Sequence, residues 1–336
     1  MTANAPAQQD TAKGKMRAIV QERYGPPEAL RLREIDRPAL PEDGVLVRVH
    51  ASSVNRAEWY GVTGTPYFAR VFAGPIRPKQ SIPGVDFAGV VEAVGSAVTR
   101  FRPGDEVFGG RNGALAEYLT VRKNVVHKPA NVTFEEAASV PTAAITALQG
   151  LRDHGQVRPG QKVLVNGAAG GVGTFAVQIA KALGAHVTAV CSTRNVELAR
   201  TLGADRVIDY TQEDFTRGGE RYDLLLDVAG GRPWSALRRV LERSARLVLV
   251  GGPMGNPVLG PVGHLLRVRL ASLGASQKVV FFIAKFTPED LLALGKMLEA
   301  GKIKPVIDRR YTLAEVPEAL GYIGTGHARG KVVITV

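Results

Sequence analysis

The chain has 336 residues, long enough for two domains with sizeable cores, and its 45% hydrophobic content is that of an ordinary globular protein. A net charge of +12 favours anionic ligands, but no basic run is interleaved with aromatics and no nucleic-acid module signature appears, so nucleic acid is not an expected partner. The single cysteine, Cys191, excludes an intrachain disulfide framework and a multi-cysteine zinc site, and points to a reducing, cytoplasmic setting.

Residues 1–14 are polar and lack a signal-peptide layout, and they read as a disordered tail. No run of about 18 apolar residues follows, so no membrane span is expected. The next third is β-rich. Strands are predicted at 16–20, 45–50 and 87–94, a tight turn over 102–108 feeds another, and 114–121 forms one more. Frequent Gly, Pro and Asp clusters between short strands indicate a barrel-like domain. From Phe134 the pattern is helical, with a break at Pro141 and a helix over 142–151.

After Pro159-Gly160 strand and helix alternate. Strands are predicted at 162–166, 186–191, 206–210, 223–228 and 246–250, with helices over 195–202 and 234–241. A sixth strand at 278–284 and a helix over 289–300 complete a doubly wound parallel sheet. The last strand, 331–336, is expected to return to the first domain. The fold class is thus α/β, with residues 15–134 and 301–336 in one domain and 135–300 in the other.

The strand at 162–166 runs into Gly-Ala-Ala-Gly-Gly-Val-Gly at 167–173 and leaves as a helix. Such a turn presents backbone N–H groups of Ala169, Gly170, Gly171, Val172 and Gly173, with the positive helix end, to a pyrophosphate. Gly170 permits close approach of the diphosphate, and Gly173 lets the helix pack tightly on its strand. Ala168 stands at the first position of the Gly-x-Gly-x-x-Gly pattern, so the context of strand and helix carries the assignment. An NAD site usually ends the next strand on a carboxylate for the ribose 2′-OH. Here that end reads Ser192-Thr193-Arg194. Hydroxyls and a guanidinium suit a 2′-phosphate, so NADPH is favoured over NADH.

Ordered matches along the chain resemble the medium-chain dehydrogenase/reductase superfamily, in its zinc-independent quinone-oxidoreductase branch. They are Val-Asn-Arg-Ala-Glu-Trp-Tyr at 54–60, Pro-Gly-Val-Asp-Phe-Ala-Gly at 83–89, Arg-Pro-Gly-Asp-Glu-Val at 102–107 and Gly-Ala-Leu-Ala-Glu-Tyr at 113–118. Ala-Ala-Gly-Gly-Val-Gly at 168–173, Leu-Gly-Ala-Asp-Arg-Val-Ile-Asp-Tyr at 202–210 and Gly-His-Ala-Arg-Gly-Lys at 326–331 continue the series. The resemblance implies a GroES-like catalytic domain beside a Rossmann domain, with the cofactor in the cleft. It also implies a homodimer paired through the last Rossmann strand, 279–284.

Where zinc enzymes of the superfamily hold their metal, the resemblance sets Asn55, Val85, Asp86 and Thr142. This set offers neither the thiolate nor the imidazole that zinc favours, so no metal is expected. Without a Lewis acid the substrate must itself accept hydride readily, which selects quinones and α,β-unsaturated carbonyls. By the same resemblance Asn55 and Tyr60 face the nicotinamide and substrate, Asn55 bonding its carboxamide or ribose and Tyr60 donating to a developing oxyanion. Tyr210 lies at the adenosine end, Val250, Gly251 and Gly252 line the nicotinamide, and Thr142, Thr146, Arg329 and Lys331 approach the cofactor. No Ser-His-Asp arrangement or carboxylate pair can be placed in the cleft from sequence.

The loop 65–79 is expected to act as a lid offering Tyr67, Phe68 and Phe72 to an apolar pocket. His127 and His154 stand outside any ligand spacing and are read as structural or solvated. Two rival readings stay open: an enoyl-thioester reductase with Arg70, Arg77 and Lys79 on carrier phosphates, and an NADPH-binding redox sensor with little turnover.

Overall fold

Two large sheets organise the chain in a computed structural model that describes residues 14–253 and 257–336. The tail expected over 1–14 therefore lies, save Gly14, outside the described residues. β1 (Lys15–Val20) pairs antiparallel with β2 (Arg31–Asp36). β3 (Val45–Val54) runs into α1 (Arg56–Thr63), and a short α2 (Arg70–Ala73) follows. Then come β4 (Asp86–Val94), β5 (Glu106–Gly110), β6 (Tyr118–Val121) and β7 (Val125–His127). The stretch expected as a strand over 114–121 joins a ladder only from Tyr118, with a single bridge from Ala116 to Ala18 before it. Before it, Ala114 N–H bonds the Gly84 carbonyl and the Leu115 carbonyl accepts from Ile19, so the backbone serves two neighbours rather than one ladder.

α3 (Phe134–Ala138) and α4 (Pro141–Gln149) lead to the second sheet. Pro141 starts α4 at its first turn, where a missing N–H costs nothing. Next stand β8 (Lys162–Asn166), α5 (Gly171–Ala182), β9 (His186–Cys191), α6 (Val196–Thr201), β10 (Arg206–Asp209) and β11 (Tyr222–Asp227). They are followed by α7 (Trp234–Leu237), β12 (Leu241–Leu249), α8 (Pro261–Ala271), β13 (Lys278–Phe281) and α9 (Pro288–Glu299). β14 (Ile307–Thr312), α10 (Val316–Gly324) and β15 (Lys331–Thr335) end the chain.

The six-stranded sheet is parallel throughout, in the order β10-β9-β8-β11-β12-β13. Its central strand buries Val163, Leu164 and Val165 completely, which explains an uninterrupted apolar run: helices cover both faces. The helix expected over 234–241 stops early because Leu241 already pairs with Tyr222 as the start of β12. The strand expected over 278–284 stops at Phe281, opposite Leu249, where its partner strand also ends.

The other sheet runs β14-β15-β3-β4-β5-β7, with β6 on β3. As expected, the last strand returns: β15 pairs antiparallel with β3, Val332 opposite Val54. Gly330, just before β15, bridges Gly170 at the mouth of α5. The two sheets are thereby joined at the glycine-rich turn.

Candidate active site

The turn after β8 is built as a cradle. Gly167 has φ +86, a conformation that favours glycine. The first internal bond of α5 is from Thr174 N–H to the Gly170 carbonyl, 2.9 Å. The amides of Gly171, Val172 and Gly173 thus precede the helical ladder, as at any helix start. A Cβ on Gly173 would stand 2.1 Å from the Gly167 carbonyl oxygen, whereas one on Gly170 would meet only that oxygen, at 3.6 Å. Gly173 is closed in by the strand–helix junction, and Gly170 is open outward. Ala169 is 8% exposed beside them. A pyrophosphate fits this geometry.

Beyond the end of β9, Ser192, Thr193, Arg194 and Tyr210 line one surface cavity of about 300 Å³ together with His327. The Arg194 guanidinium donates to the His327 carbonyl at 3.0 Å, and Arg329 donates to Asn195 Oδ1 at 2.8 Å and to the Arg194 carbonyl at 3.3 Å. The segment before β15 therefore closes this cavity, and His327 is a lining residue that the sequence reading passed over. Asp209 lies close by, its carboxylate accepting from the amide and hydroxyl of Thr211 and from Gln212. The Thr193 hydroxyl and these donors hold its pKa below the ordinary carboxylate value.

Val250, Gly251 and Gly252 follow β12 at the same end of the sheet. Val250 N–H bonds the Asp227 carbonyl at 2.9 Å, and a Cβ on Gly251 would lie 2.3 Å from the Val228 carbonyl oxygen. All of these residues sit at the carboxyl ends of the parallel strands, where open α/β sheets bind ligands.

Between the two sheets lies a buried polar cluster centred on Asp86, which is fully buried at the start of β4. Its Oδ1 accepts from Thr142 N–H at 2.9 Å and Thr142 Oγ1 at 2.6 Å. Its Oδ2 accepts from Ser53 Oγ and Asn55 Nδ2, both at 2.9 Å, and lies 3.4 Å from the Lys331 ammonium. That ammonium also donates to Asn55 Oδ1. Thr146 Oγ1 bonds the Thr142 carbonyl one turn back at 2.7 Å. Asn55, Asp86 and Thr142, the positions compared with metal ligands, thus bond one another around a lysine ammonium. Among the described residues no group of three or more His, Cys, Asp or Glu gathers as metal ligands.

Sequence alone places no carboxylate pair in the cleft, and the structure adds a second buried acid within reach of the Asp86 charge. Glu58, 6% exposed on α1, accepts Asn55 N–H at 2.8 Å, closing the first turn of that helix. Burial, and secondarily the nearby Asp86 carboxylate, push its pKa up to about 7 against the opposing pull of Lys331. The Asn-x-x-Glu spacing is a capping signature, so Glu58 was legible as a helix cap, though its approach to Asp86 was not.

Tyr60 stands half-buried on α1 and opens onto a second cavity of about 330 Å³. Phe68, Ala69 and Arg70 of the 65–79 loop line it, with Pro261 and Val262 of α8 opposite. Tyr67 and Phe72, also expected there, are 48% and 75% exposed and do not line it. Tyr67 is held by its N–H bond to the Pro257 carbonyl and by the Arg70 guanidinium over its ring, while Phe72 faces solvent on α2. Arg77 and Lys79 are exposed. His127 and His154 pack against Phe101 and Phe282.

Comparison with known proteins places this geometry. Residues 41–131 match the family model for the alcohol dehydrogenase GroES-like domain, and residues 202–334 that of the zinc-binding dehydrogenases. The mitochondrial NAD(P)H oxidoreductase RTN4IP1 of Mus musculus is 36% identical over 96% of this chain and 89% of its own. The chloroplastic NADPH-dependent alkenal/one oxidoreductase of Arabidopsis thaliana is 33% identical, over 95% and 79%. The structure of the quinone oxidoreductase from Coxiella burnetii superposes with a TM-score of 0.84 at 30% identity, covering 96% of this chain and all of that one.

Proposed function

Because the chain belongs to the medium-chain dehydrogenase/reductase superfamily, in its quinone-oxidoreductase-like branch, we propose that it reduces quinones or α,β-unsaturated carbonyls with NADPH and without a metal. NADPH supplies the hydride when bound. This chain's residues position, donate and exclude water. The first-turn amides of Gly171, Val172 and Gly173 hold the diphosphate. Ser192, Thr193 and the Arg194 guanidinium take the 2′-phosphate, since a fork of N–H donors matches its oxygens. Tyr210 and His327 flank that end, while the Val250–Gly252 backbone lines the other.

Asn55 Nδ2 gives one hydrogen to Asp86, leaving its second for the cofactor carboxamide or ribose. Thr142 and Lys331 hold Asn55 and Asp86 in place. The division of labour follows the two sheets in the main, residues 15–134 and 301–336 for the substrate and 135–300 for the nucleotide, with Asn55 and His327 crossing to the nucleotide and Pro261 and Val262 to the substrate cavity. The observation that carries the reading is Tyr60. Among the described residues its hydroxyl makes no hydrogen bond, and the residue lines a largely apolar cavity, shared with Tyr24, Thr65 and Arg70, where a carbonyl oxygen gaining charge would need a donor.

The metal-free part rests on donor chemistry: an amide, an aliphatic side chain, a carboxylate and a hydroxyl stand where thiolate and imidazole would be needed. Arg70 stacks against Tyr24 and Tyr67 and bonds the Gly64 carbonyl, which favours a small carbonyl over a carrier-borne thioester. The lone buried cysteine supports a cytoplasmic setting, and among the described residues no helix is long and apolar enough to cross a membrane. β13, an edge strand with Phe281 42% exposed, supports pairing into a homodimer.

The deciding experiment follows NADPH oxidation optically with a panel of quinones and enones, with and without chelator, and with NADH in parallel. Chelator-resistant turnover that prefers NADPH is the expected result. Saturable NADPH binding without turnover of any acceptor overturns the reductase reading.

A further inference from the structure

After β11 the chain turns through Val228-Ala229-Gly230-Gly231, with Gly230 at φ +69 and Gly231 at φ +93. Both values favour glycine. This turn is wedged between the two ends of the nucleotide site. A Cβ on Gly167 of the cradle would stand 3.1 Å from the Ala229 side chain. On the other side, one on Gly230 would stand 2.6 Å from Gly252 Cα and 3.0 Å from the Gly251 carbonyl oxygen. The position of the turn therefore sets that of the Val250–Gly252 backbone.

Two side chains fasten the turn through successive amides. Gly230 N–H donates to Asp227 Oδ1 at 2.8 Å, and Gly231 N–H donates to His264 Nε2 at 3.2 Å. Asp227, fully buried at the end of β11, is itself held at 2.7 Å by Asn166 Nδ2 from the end of β8. His264 comes from α8, and its ring also backs the wall directly: a Cβ on Gly252 would be 3.4 Å from its Cδ2. The two fastenings differ in kind. A carboxyl group can accept whether or not it is ionised, whereas a ring nitrogen accepts only while it carries no proton.

We infer that Asp227 and His264 are positioning residues of the cofactor site: they fix the turn behind the nicotinamide wall, and a proton on His264 Nε2 releases the Gly231 half of it. The inference rests on the reading of Val250–Gly252 as that wall. An imidazolium would set N–H against N–H at this contact, so ring and turn must part. Asp227 is the acid that feels the His264 charge. Of the other charged neighbours, Arg232 in the turn pairs with Asp214 at 3.4 Å, and Arg70 of the facing loop bonds the Gly64 carbonyl. Arg267 is exposed on the next turn of α8, and α7 and residues 250–260 carry no charge. One net hydrogen bond of this kind is a factor of about three to ten in an equilibrium constant.

The test is calorimetric titration with NADP+ at about pH 8 and about pH 5, the span over which imidazoles ordinarily gain a proton. The protein is compared with His264→Gln, whose amide oxygen accepts from Gly231 at either pH. Proton uptake by Glu58 and by the ligand's own phosphate is common to both proteins and cancels in their ratio. Equal affinity at the higher pH, and a parent weaker by the above factor at the lower, is the expected result. His264→Leu accepts at neither pH and serves should His264→Gln fail to fold: the parent should exceed it at the higher pH and match it at the lower. Asp227→Asn keeps an acceptor for Gly230 and should respond to pH as the parent does. A ratio of parent to His264→Gln that does not change with pH overturns the inference and leaves the cofactor reading standing. A response that Asp227→Asn abolishes overturns it too, since the carboxyl is then the group that titrates. If NADP+ binds at neither pH, the cofactor reading falls and the inference with it.

Discussion

The Lys331 ammonium and the Asp86 carboxylate face each other at 3.4 Å in the interior, 2% and 0% exposed. Lys331 belongs to the last strand and Asp86 to the fourth, and Thr142, on the helix leading into the parallel sheet, donates twice to the same carboxylate. The Lys331 side chain reaches this place beneath the glycine-rich turn, its Cδ 3.2 Å from where a Cβ on Gly171 would lie. The ion pair thus lies within the seven-stranded sheet, and it is the Lys331 stem and Thr142 that carry it to the glycine-rich turn and the helix entering the parallel sheet.

Removing one partner leaves the other charged and uncompensated, which costs about 3–5 kcal/mol. Lys331→Met is expected to lower unfolding stability by that amount in urea titration. Lys331→Met combined with Asp86→Asn should recover part of it, because the double variant buries no net charge. Equal losses in the single and double variants would show that the pair itself contributes nothing.

Glu58 gives the site a pH signature. Its pKa in the folded protein is about 7 against an ordinary value of 4.5, with burial the main cause and Asp86 the next. Between those values the folded state keeps a proton that the unfolded chain has released, so stability falls as pH rises through that window. The loss is complete above it, at about 3 kcal/mol. Glu58→Gln cannot ionise but still accepts the Asn55 amide. Urea titrations at mildly acid and mildly alkaline pH should find the variant gaining on the parent as pH rises. A constant difference would mean that Glu58 titrates near its ordinary value.

On the proposed reading, Arg194 decides between the two nicotinamide cofactors. A charge-assisted hydrogen bond to phosphate contributes about 1.5–3 kcal/mol. Arg194→Ala should therefore raise KM for NADPH roughly ten- to a hundredfold and leave KM for NADH nearly unchanged. An equal rise for both would reassign Arg194 to holding the His327 carbonyl and the domain contact.

These expectations differ in how far residues alone could support them. The alternation after Pro159 and the run around Gly170 were readable because each is local: period, turn chemistry and helix start lie within one unit. Ser192, Thr193, Arg194 and Tyr210 were also legible, since parallel strands end together. His327 was not, because its place depends on a segment more than a hundred residues away folding back over Arg194. Glu58 and Asp86 were visible singly. Their meeting arises only from the β3–β4 pairing, which sets Ser53 opposite Asp86. The outward turn of Tyr67 was equally invisible, since it goes with a backbone bond between the loop and the Pro257 carbonyl.

Tyr60 is expected to matter unequally across acceptors. Loss of one positioned donor to a developing oxyanion costs about 10²–10³ in kcat. Tyr60→Phe should approach that loss with enones, whose charge gathers on one oxygen. It should lose less with quinones, which spread the charge over the ring. A uniform loss in all acceptors would instead mark the ring as a packing element of the pocket.

The two inner glycines of the cradle make opposite predictions from the same added methyl. At Gly173 a Cβ would stand 2.1 Å from the Gly167 carbonyl oxygen and 2.7 Å from Ala168 Cα, both backbone atoms that can yield only if the helix leaves its strand. Overpacking of this kind costs about 1–3 kcal/mol or more, so Gly173→Ala should unfold at a lower temperature whether or not NADPH is added. At Gly170 the nearest atom would be 3.6 Å away, an ordinary contact, and φ is −82. Gly170→Ala should therefore keep the parent's thermal stability without ligand. It should lose most of any stabilisation by NADPH, because on the proposed reading its methyl projects where the diphosphate approaches. Thermal unfolding with and without NADPH separates the cases: equal behaviour of the two variants would mean that the diphosphate does not pass over Gly170.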